Sequence, residues 1–78
     1  MNVAEDIREA REALASGHPV KASRLLNHAV FETLDPEVLG EIHMLASQGH
    51  DQVGQIRQRV LWDHILRVSK LRGARPQG

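Results

Sequence analysis

The chain has 78 residues with no cysteine, one tryptophan, one phenylalanine and no tyrosine, and its formal net charge is zero. This length corresponds to one small domain, and the absence of cysteine excludes disulfide bonds and thiolate metal sites. The N-terminal residues are acidic and no apolar run approaches the ~20 residues of a membrane span, so we expect a cytoplasmic protein without membrane contact.

The charges are unevenly distributed along the chain. Residues 1–51 carry nine acidic and four basic side chains, a balance of −5, whereas residues 52–78 carry six basic and one acidic, a balance of +5. Such an asymmetry can steer a charged partner, or attract the acidic half of one molecule to the basic half of another. Helix-forming residues are abundant and aromatic residues are scarce, which favours an all-α fold.

The first two helices are predicted at residues 3–16 and 19–34. Asn2 is a good N-cap, Gly17 provides a left-handed stop for the first helix, and Pro19 suits the first turn of the second. Apolar residues recur at helical spacing in both segments. The predicted buried sides are Val3, Ile7, Ala10 and Leu14 in the first helix, and Ala22, Leu25, Leu26, Ala29 and Val30 in the second, with Phe31 as a further candidate.

The third and fourth helices are predicted at residues 36–48 and 52–71. Asp35 and Asp51 are candidate N-caps, and Gly49 is the expected stop of the third helix. The predicted buried side of that helix is Val38, Leu39, Ile42, Leu45 and Ala46. Residues 1–72 then form a single α-helical domain, and residues 73–78 form a flexible C-terminal tail because they offer little apolar surface.

Two segments, LASGHPVKA and LASQGHDQVG, repeat a Gly-His pair at Gly17–His18 and Gly49–His50. A small residue, Ala22 or Gly54, follows four positions after each histidine. Because a small residue allows two helix backbones to approach closely, each pair predicts a helix–turn–helix unit with its crossing at the small residue.

In this arrangement the chain resembles the tetratricopeptide family over roughly residues 7–61. Repeats of that family are helix–turn–helix units of similar length with small residues at the helix crossing. The matching residues are Gly17, Ala22, Leu26, Ala29 and Pro36 at the end of one unit, and Leu39, Gly40 and Gly49 at the start and turn of the next. The expected fold is therefore all-α with two helical hairpins, either tetratricopeptide-like or a small four-helix bundle with a long C-terminal helix.

The fourth helix carries apolar residues on two sides. One side contains Val53, Ile56, Val60, Leu61, His64, Val68 and Leu71, with Ile65 at its margin, whereas Trp62 and Leu66 lie nearly opposite. If the first side packs on the core, Trp62 is exposed, and tryptophan is enriched in interface hot spots. We therefore predict a homodimer interface formed by Trp62, Leu66, Gln55, Arg59 and Ser69. The alternative is a helix that bends near Trp62, so that both sides reach one core.

The C-terminal end is basic and predicts a contact with an anion or a nucleic acid through Arg67, Lys70, Arg72 and Arg75. Cations also suit the C-terminus of a helix, so a solvated helix end is an alternative. Two further alternatives are an acidic partner and the acidic first helix of the chain itself.

Five histidines raise the question of a metal or catalytic site. The pairs His28–Glu32, Glu41–His43, His50–Asp51 and Asp63–His64 could serve as ligands or acid–base groups, but none has the spacing of a known ligand set or catalytic motif. We predict no catalytic residue, metal or cofactor. The predicted function is a small non-enzymatic protein–protein interaction module that self-associates through its C-terminal helix. The alternative is a nucleic-acid-binding or transcription-regulatory protein that uses the Arg-rich end.

Overall fold

A computed structural model describes residues 2–54 and 56–75, without the side chain of Ile56. Within these ranges the chain forms four α-helices and no strand: α1 (Val3–Ala15), α2 (Pro19–Glu32), α3 (Pro36–Gln52) and α4 (Ile56–Leu71). The predicted all-α fold with four helices is confirmed. None of the helices in the described ranges is both long and apolar enough to span a bilayer.

The starts of α1, α2 and α3 follow the sequence signals. The Asn2 side chain accepts a hydrogen bond from the backbone N–H of Ala4 at 2.9 Å, and Asp35 accepts one from Glu37 at 3.0 Å. These caps satisfy backbone donors that the first helical turn leaves unpaired. Pro19 and Pro36 occupy the first positions of α2 and α3, where a missing N–H costs nothing.

The end of α1 also follows the prediction. Gly17 adopts a left-handed conformation with φ of 77°. Its N–H donates to the Leu14 carbonyl at 3.2 Å, and the His18 N–H donates to the Ala13 carbonyl at 2.8 Å. This pair of bonds is the Schellman motif, which closes a helix and redirects the chain into the next element.

The same motif ends α4 at Gly73, which has a φ of 107°. The Ala74 N–H donates to the Ser69 carbonyl and the Arg75 N–H donates to the Pro36 carbonyl, both at 2.9 Å. Residues 73–75 of the predicted tail thus return the chain to the start of α3. Residues 76–78 of that predicted tail lie outside the described residues.

The second Gly-His pair does not form a turn, in contrast to the prediction. α3 continues through Gly49 and His50 to Gln52, so Asp51 lies inside α3 and does not cap α4. The physical reason is that Gly49 packs against Trp62: a Cβ placed on Gly49 would lie 2.4 Å from the Trp62 Cη2 atom. The glycine therefore serves the packing of α3 on α4 rather than the end of a helix.

The predicted crossing residues behave differently from each other. Ala22 is fully buried, as expected for a close crossing. Gly54 is exposed, and a Cβ placed there would meet nothing within 4 Å. The small residue at the contact between α3 and α4 is therefore Gly49, and the prediction for Gly54 is wrong.

The helices form two antiparallel hairpins. An Asp6–His28 contact joins α1 to α2, and a His43–Ser69 contact joins α3 to α4. α2 and α4 run side by side in the same direction, because the start of α2 lies beside the start of α4 and the end of α2 lies beside the end of α4. In the described part of the chain, α1 and α4 are not in contact.

The core lies between the two hairpins and is almost entirely aliphatic. Its buried apolar residues are Ile7, Ala10, Ala13, Leu14, Ala22, Leu26, Ala29, Val30, Leu39, Ile42, Leu45, Ala46, Val53, Trp62 and Ile65. The predicted buried sides of α1 and α3 agree with this set or pack against it. In α2, the further candidate Phe31 is instead exposed.

Candidate interaction surface

α4 packs mainly through the side that the sequence analysis expected to be free, and Leu61 and Val68 of the predicted core side pack against the core as well. Trp62 is only 1% exposed, and Ile65 and Ser69 are completely buried. Leu66 is partly buried and packs against the core. The expectation that Trp62 and Ser69 lie on an exposed interface of the single chain is therefore wrong.

The predicted interface also included Arg59 and Gln55. Arg59 is exposed, and its Nε donates to the Val53 carbonyl at 3.0 Å, which ties α4 to the end of α3. Gln55 lies outside the described residues.

The rotation of α4 about its axis has a clear cause in α3. Gly49 leaves a flat gap on α3, and the indole of Trp62 fills that gap. With Trp62 inward, the opposite side of the helix faces outward: Val60 is 62% exposed and Leu71 is 79% exposed. The predicted core side is therefore wrong for these two residues and for the exposed His64. α4 is continuous from Ile56 to Leu71, so no break is needed to bury Trp62.

The exposed side of α4 continues onto α2. Phe31 of α2 is 53% exposed, and its ring centroid lies 6.2 Å from that of His64. At the other end Val20 is exposed, and it borders a cleft of about 230 Å³ that has Leu61 and Trp62 in its lining. We call this surface the α2/α4 face; it consists of Val20, Arg24 and Phe31 of α2 and Arg57, Val60, His64, Arg67 and Leu71 of α4.

The α2/α4 face is basic as well as apolar. α2 and α4 each contain a single acidic residue, Glu32 and Asp63. Glu32 lies 3.7 Å from His28, whose other ring nitrogen contacts α1, and Asp63 lies 3.1 Å from His50 of α3. Both acids are therefore directed to the flanks of the face, and within residues 2–54 and 56–75 no ion pair joins an arginine of the face to a carboxylate.

The four cations predicted to bind an anion or a nucleic acid do not form one cluster, because only Lys70 and Arg75 line the same groove. Arg72 holds the end of α2 by donating to the Thr33 carbonyl at 3.1 Å and to the Phe31 carbonyl at 3.4 Å. The Arg75 guanidinium lies 3.5 Å from the Glu37 carboxylate. Arg67 and Lys70 are exposed and form no ion pair with the described residues.

The histidines make contacts between helices. His28 Nδ1 lies 3.1 Å from the carboxylate of buried Asp6, and His50 Nε2 lies 3.1 Å from Asp63. Of the sequence pairs, His28–Glu32 and His50–Asp51 are within 3.7 Å, whereas Glu41 pairs with Arg11 instead. No group of three histidine, aspartate or glutamate side chains in residues 2–54 and 56–75 could hold a metal ion.

Sequence reasoning missed a groove between α3 and the end of α4. It has a volume of about 460 Å³ and is lined by Gly40, His43, Met44, Ser47, Lys70, Ala74 and Arg75. We call it the His43 groove. The only signal in the sequence is the helical spacing of the residues at 40, 43, 44 and 47. Their proximity to Lys70 and Arg75 depends on the antiparallel pairing of α3 with α4 and on the returning chain after Gly73.

Comparisons with models of known protein families, with curated proteins and with solved structures gave no match. The resemblance to tetratricopeptide repeats therefore stays a prediction.

Proposed function

We propose that this protein is a small non-enzymatic helical module that binds another protein through the α2/α4 face. The observation that supports the proposal is the combination of exposed apolar side chains with arginines that form no ion pair in the described part of the chain. Exposed apolar residues that share one face of a small domain are candidates for an interaction surface. The proposal keeps the C-terminal helix as the binding element, but it places the binding surface on the side of that helix opposite Trp62.

The balance of free energies favours an acidic partner. Covering roughly 300 Å² of apolar surface contributes about 7 kcal/mol at about 25 cal/mol per Å². Association costs about 4–15 kcal/mol, so the apolar contact alone gives weak binding. Arg24, Arg57 and Arg67 can add charge-assisted hydrogen bonds if the partner presents carboxylates. We therefore propose that the partner segment is an acidic amphipathic helix, which would lie along the line between α2 and α4.

The predicted homodimer needs a different occupant, a second copy of the chain. A two-fold dimer places the same patch against itself, so Arg57 and Arg67 of one copy would lie near the positive charges of the other copy. This cost favours an acidic partner over self-association. Sedimentation of the unmutated chain at micromolar concentrations tests the point: we expect a monomer, and a dimer that Val60→Ser dissociates would support the original prediction instead.

Nucleic acid is the second candidate because Arg57, Arg67 and Lys70 are exposed on α4. The other two predicted cations, Arg72 and Arg75, are engaged in contacts within the chain. Phosphate contacts would give binding that weakens steeply with salt. A duplex DNA that binds with such a salt dependence, while an acidic peptide does not bind, would favour this candidate.

The direct test is a titration of the 15N-labelled protein with a synthetic amphipathic helical peptide rich in Glu and Leu. We expect amide shifts concentrated on the α2/α4 face, and no binding of a matched peptide in which Lys replaces Glu. Val60→Ser combined with Leu71→Ser should weaken binding at least about tenfold, which corresponds to about 1.4 kcal/mol. Both positions are largely exposed, so the variant should remain folded.

Met44→Ser is the matched control because Met44 is also an exposed apolar residue but lies on α3, in the His43 groove. It should bind the Glu-rich peptide like the unmutated protein. If Met44→Ser weakens binding and the Val60/Leu71 variant does not, the proposed face is wrong. Equal binding of the Glu-rich and Lys-rich peptides would contradict the proposed partner chemistry.

A further inference from the structure

The His43 groove has the composition of a site for a small amphiphilic anion. Its lining combines the apolar surface of Met44 and Ala74 with two cations, Lys70 and Arg75, and none of the described lining residues is acidic. Arg75 is paired with Glu37 at 3.5 Å, so Lys70 is the cation that a ligand would meet. Its volume of about 460 Å³ falls within the usual range for pockets that hold small organic ligands. Methionine adapts its shape readily to different apolar ligands. We propose that this groove binds a small carboxylate with an aliphatic body.

One wall of the groove is held rigid by a hydrogen-bonded chain. Ser69 Oγ donates to the Leu66 carbonyl at 2.9 Å, and His43 Nδ1 lies 2.9 Å from the same Oγ. With the single hydroxyl hydrogen of Ser69 assigned to the Leu66 carbonyl, the matching tautomer of His43 carries its hydrogen on Nδ1 and donates it to Ser69. Ser69 is completely buried, so this chain fixes the imidazole ring against α4.

The buried Ser69 also decides against a catalytic interpretation of the His43–Ser69 pair. A serine nucleophile must give its hydrogen to the histidine and must be accessible to substrate. Here the hydroxyl gives its hydrogen to a backbone carbonyl and has no exposed surface. The pair therefore shapes the groove rather than providing a nucleophile.

The charged end of the groove is set by the turn after α4. The Arg75 backbone is anchored to the Pro36 carbonyl at 2.9 Å, which brings Arg75 to the same groove as Lys70. The carbonyls at a helix C-terminus would ordinarily repel an anion. Two of them, on Ser69 and Lys70, are capped by the N–H groups of Ala74 and Gly73. A carboxylate can therefore bind Lys70, which forms no ion pair with the described residues, beside an Arg75 guanidinium that already lies 3.5 Å from Glu37, while an aliphatic body lies along Met44.

Sodium octanoate is a suitable probe, with octanamide as its uncharged match. In a titration of the 15N-labelled chain, octanoate should shift the amides of the groove-lining residues with a dissociation constant of about 1 mM, a reasonable value for a ligand of this size. Octanamide should bind at least about fivefold more weakly, because it forms no charge-assisted hydrogen bond. Binding on the α2/α4 face alone, or equal binding of octanamide, would overturn the proposal.

Two variants separate the groove from a general effect of positive charge. Lys70→Met should weaken octanoate binding about three- to tenfold, whereas Arg67→Met, one turn away and outside the lining, should leave it unchanged. Ser47→Leu should block the groove by filling it.

Equal effects of Lys70→Met and Arg67→Met would show non-specific attraction. Displacement of octanoate by an acetylated Glu-rich peptide would assign the groove to a protein partner instead. These results are independent of the α2/α4 face, which Val60→Ser probes separately.

Discussion

Gly49 controls the packing of α3 on α4, so Gly49→Ala is the most informative single change in the fold. An added Cβ would lie 2.4 Å from both Cη2 and Cζ2 of Trp62. Ordinary carbon–carbon contacts are about 3.5–4.0 Å, so the indole must move by roughly 1 Å or the helices must separate. Trp62 is 1% exposed, and the neighbouring Ile65 has no exposed surface, so the ring has little room to move.

Two effects of the substitution oppose each other. Alanine is more favourable than glycine inside a helix by about 1 kcal/mol. Overpacking a well-packed core costs about 1–3 kcal/mol, and a contact this short falls at the upper end of that range. We therefore expect a net loss of about 2 kcal/mol in the free energy of unfolding, which lowers the melting temperature by about 8–16 °C for a domain of this size.

Thermal unfolding monitored by circular dichroism gives the stability of each variant, and tryptophan fluorescence reports the burial of Trp62. Gly54→Ala is the matched control because its Cβ meets nothing within 4 Å. Trp62→Leu should reduce the damage of Gly49→Ala, since the two side chains are in contact and their effects should not be additive. A Gly49→Ala variant as stable as the unmutated protein would refute the argument that the glycine makes room for the indole.

Two other predictions test the contacts between helices. Ala22→Leu should lower the free energy of unfolding by about 1–3 kcal/mol because Ala22 is fully buried, whereas the exposed Gly54→Leu should change it by less than about 0.5 kcal/mol; urea unfolding measures both. Arg72→Met should cost about 1 kcal/mol through the loss of hydrogen bonds to the end of α2, and Arg67→Met should be close to neutral in the same assay. If Ala22→Leu and Gly54→Leu, or Arg72→Met and Arg67→Met, changed the free energy of unfolding equally, the contacts assigned to Ala22 or to Arg72 would be wrong.

The sequence predicted the four helices and the starts of α1, α2 and α3 because these depend on local chemistry. The capping and first-turn residues act on the backbone within one helical turn, so their roles can be read without knowing the tertiary structure. These residues are Asn2, Asp35, Pro19 and Pro36. Gly17 also acts locally, since its left-handed conformation is needed wherever a Schellman motif forms.

Gly49 was misread because its role depends on a residue in another helix. Taken locally, a glycine followed by histidine and aspartate favours the end of a helix and the start of the next. In the structure the packing of Trp62 compensates for the low helix propensity of glycine, and α3 continues to Gln52. The His43 groove was missed for the same reason, because it requires α3, α4 and the chain after Gly73 to be placed together.

The wrong predictions for Gly49 and for the packed side of α4 have the same cause, the contact between Gly49 and Trp62. A helix with apolar residues on two sides can pack either side inward, and helical periodicity alone does not choose between them. The choice is made by the complementary surface: Gly49 accepts the large ring of Trp62, which buries more apolar area than Val60 or Leu71 could at that place. Once Trp62 is inward, helical geometry requires Val60 and Leu71 to be outward, on the side of α4 that carries His64, the neighbour of Phe31. The same contact that holds the two helices together therefore creates the apolar and basic surface that we assign to a partner.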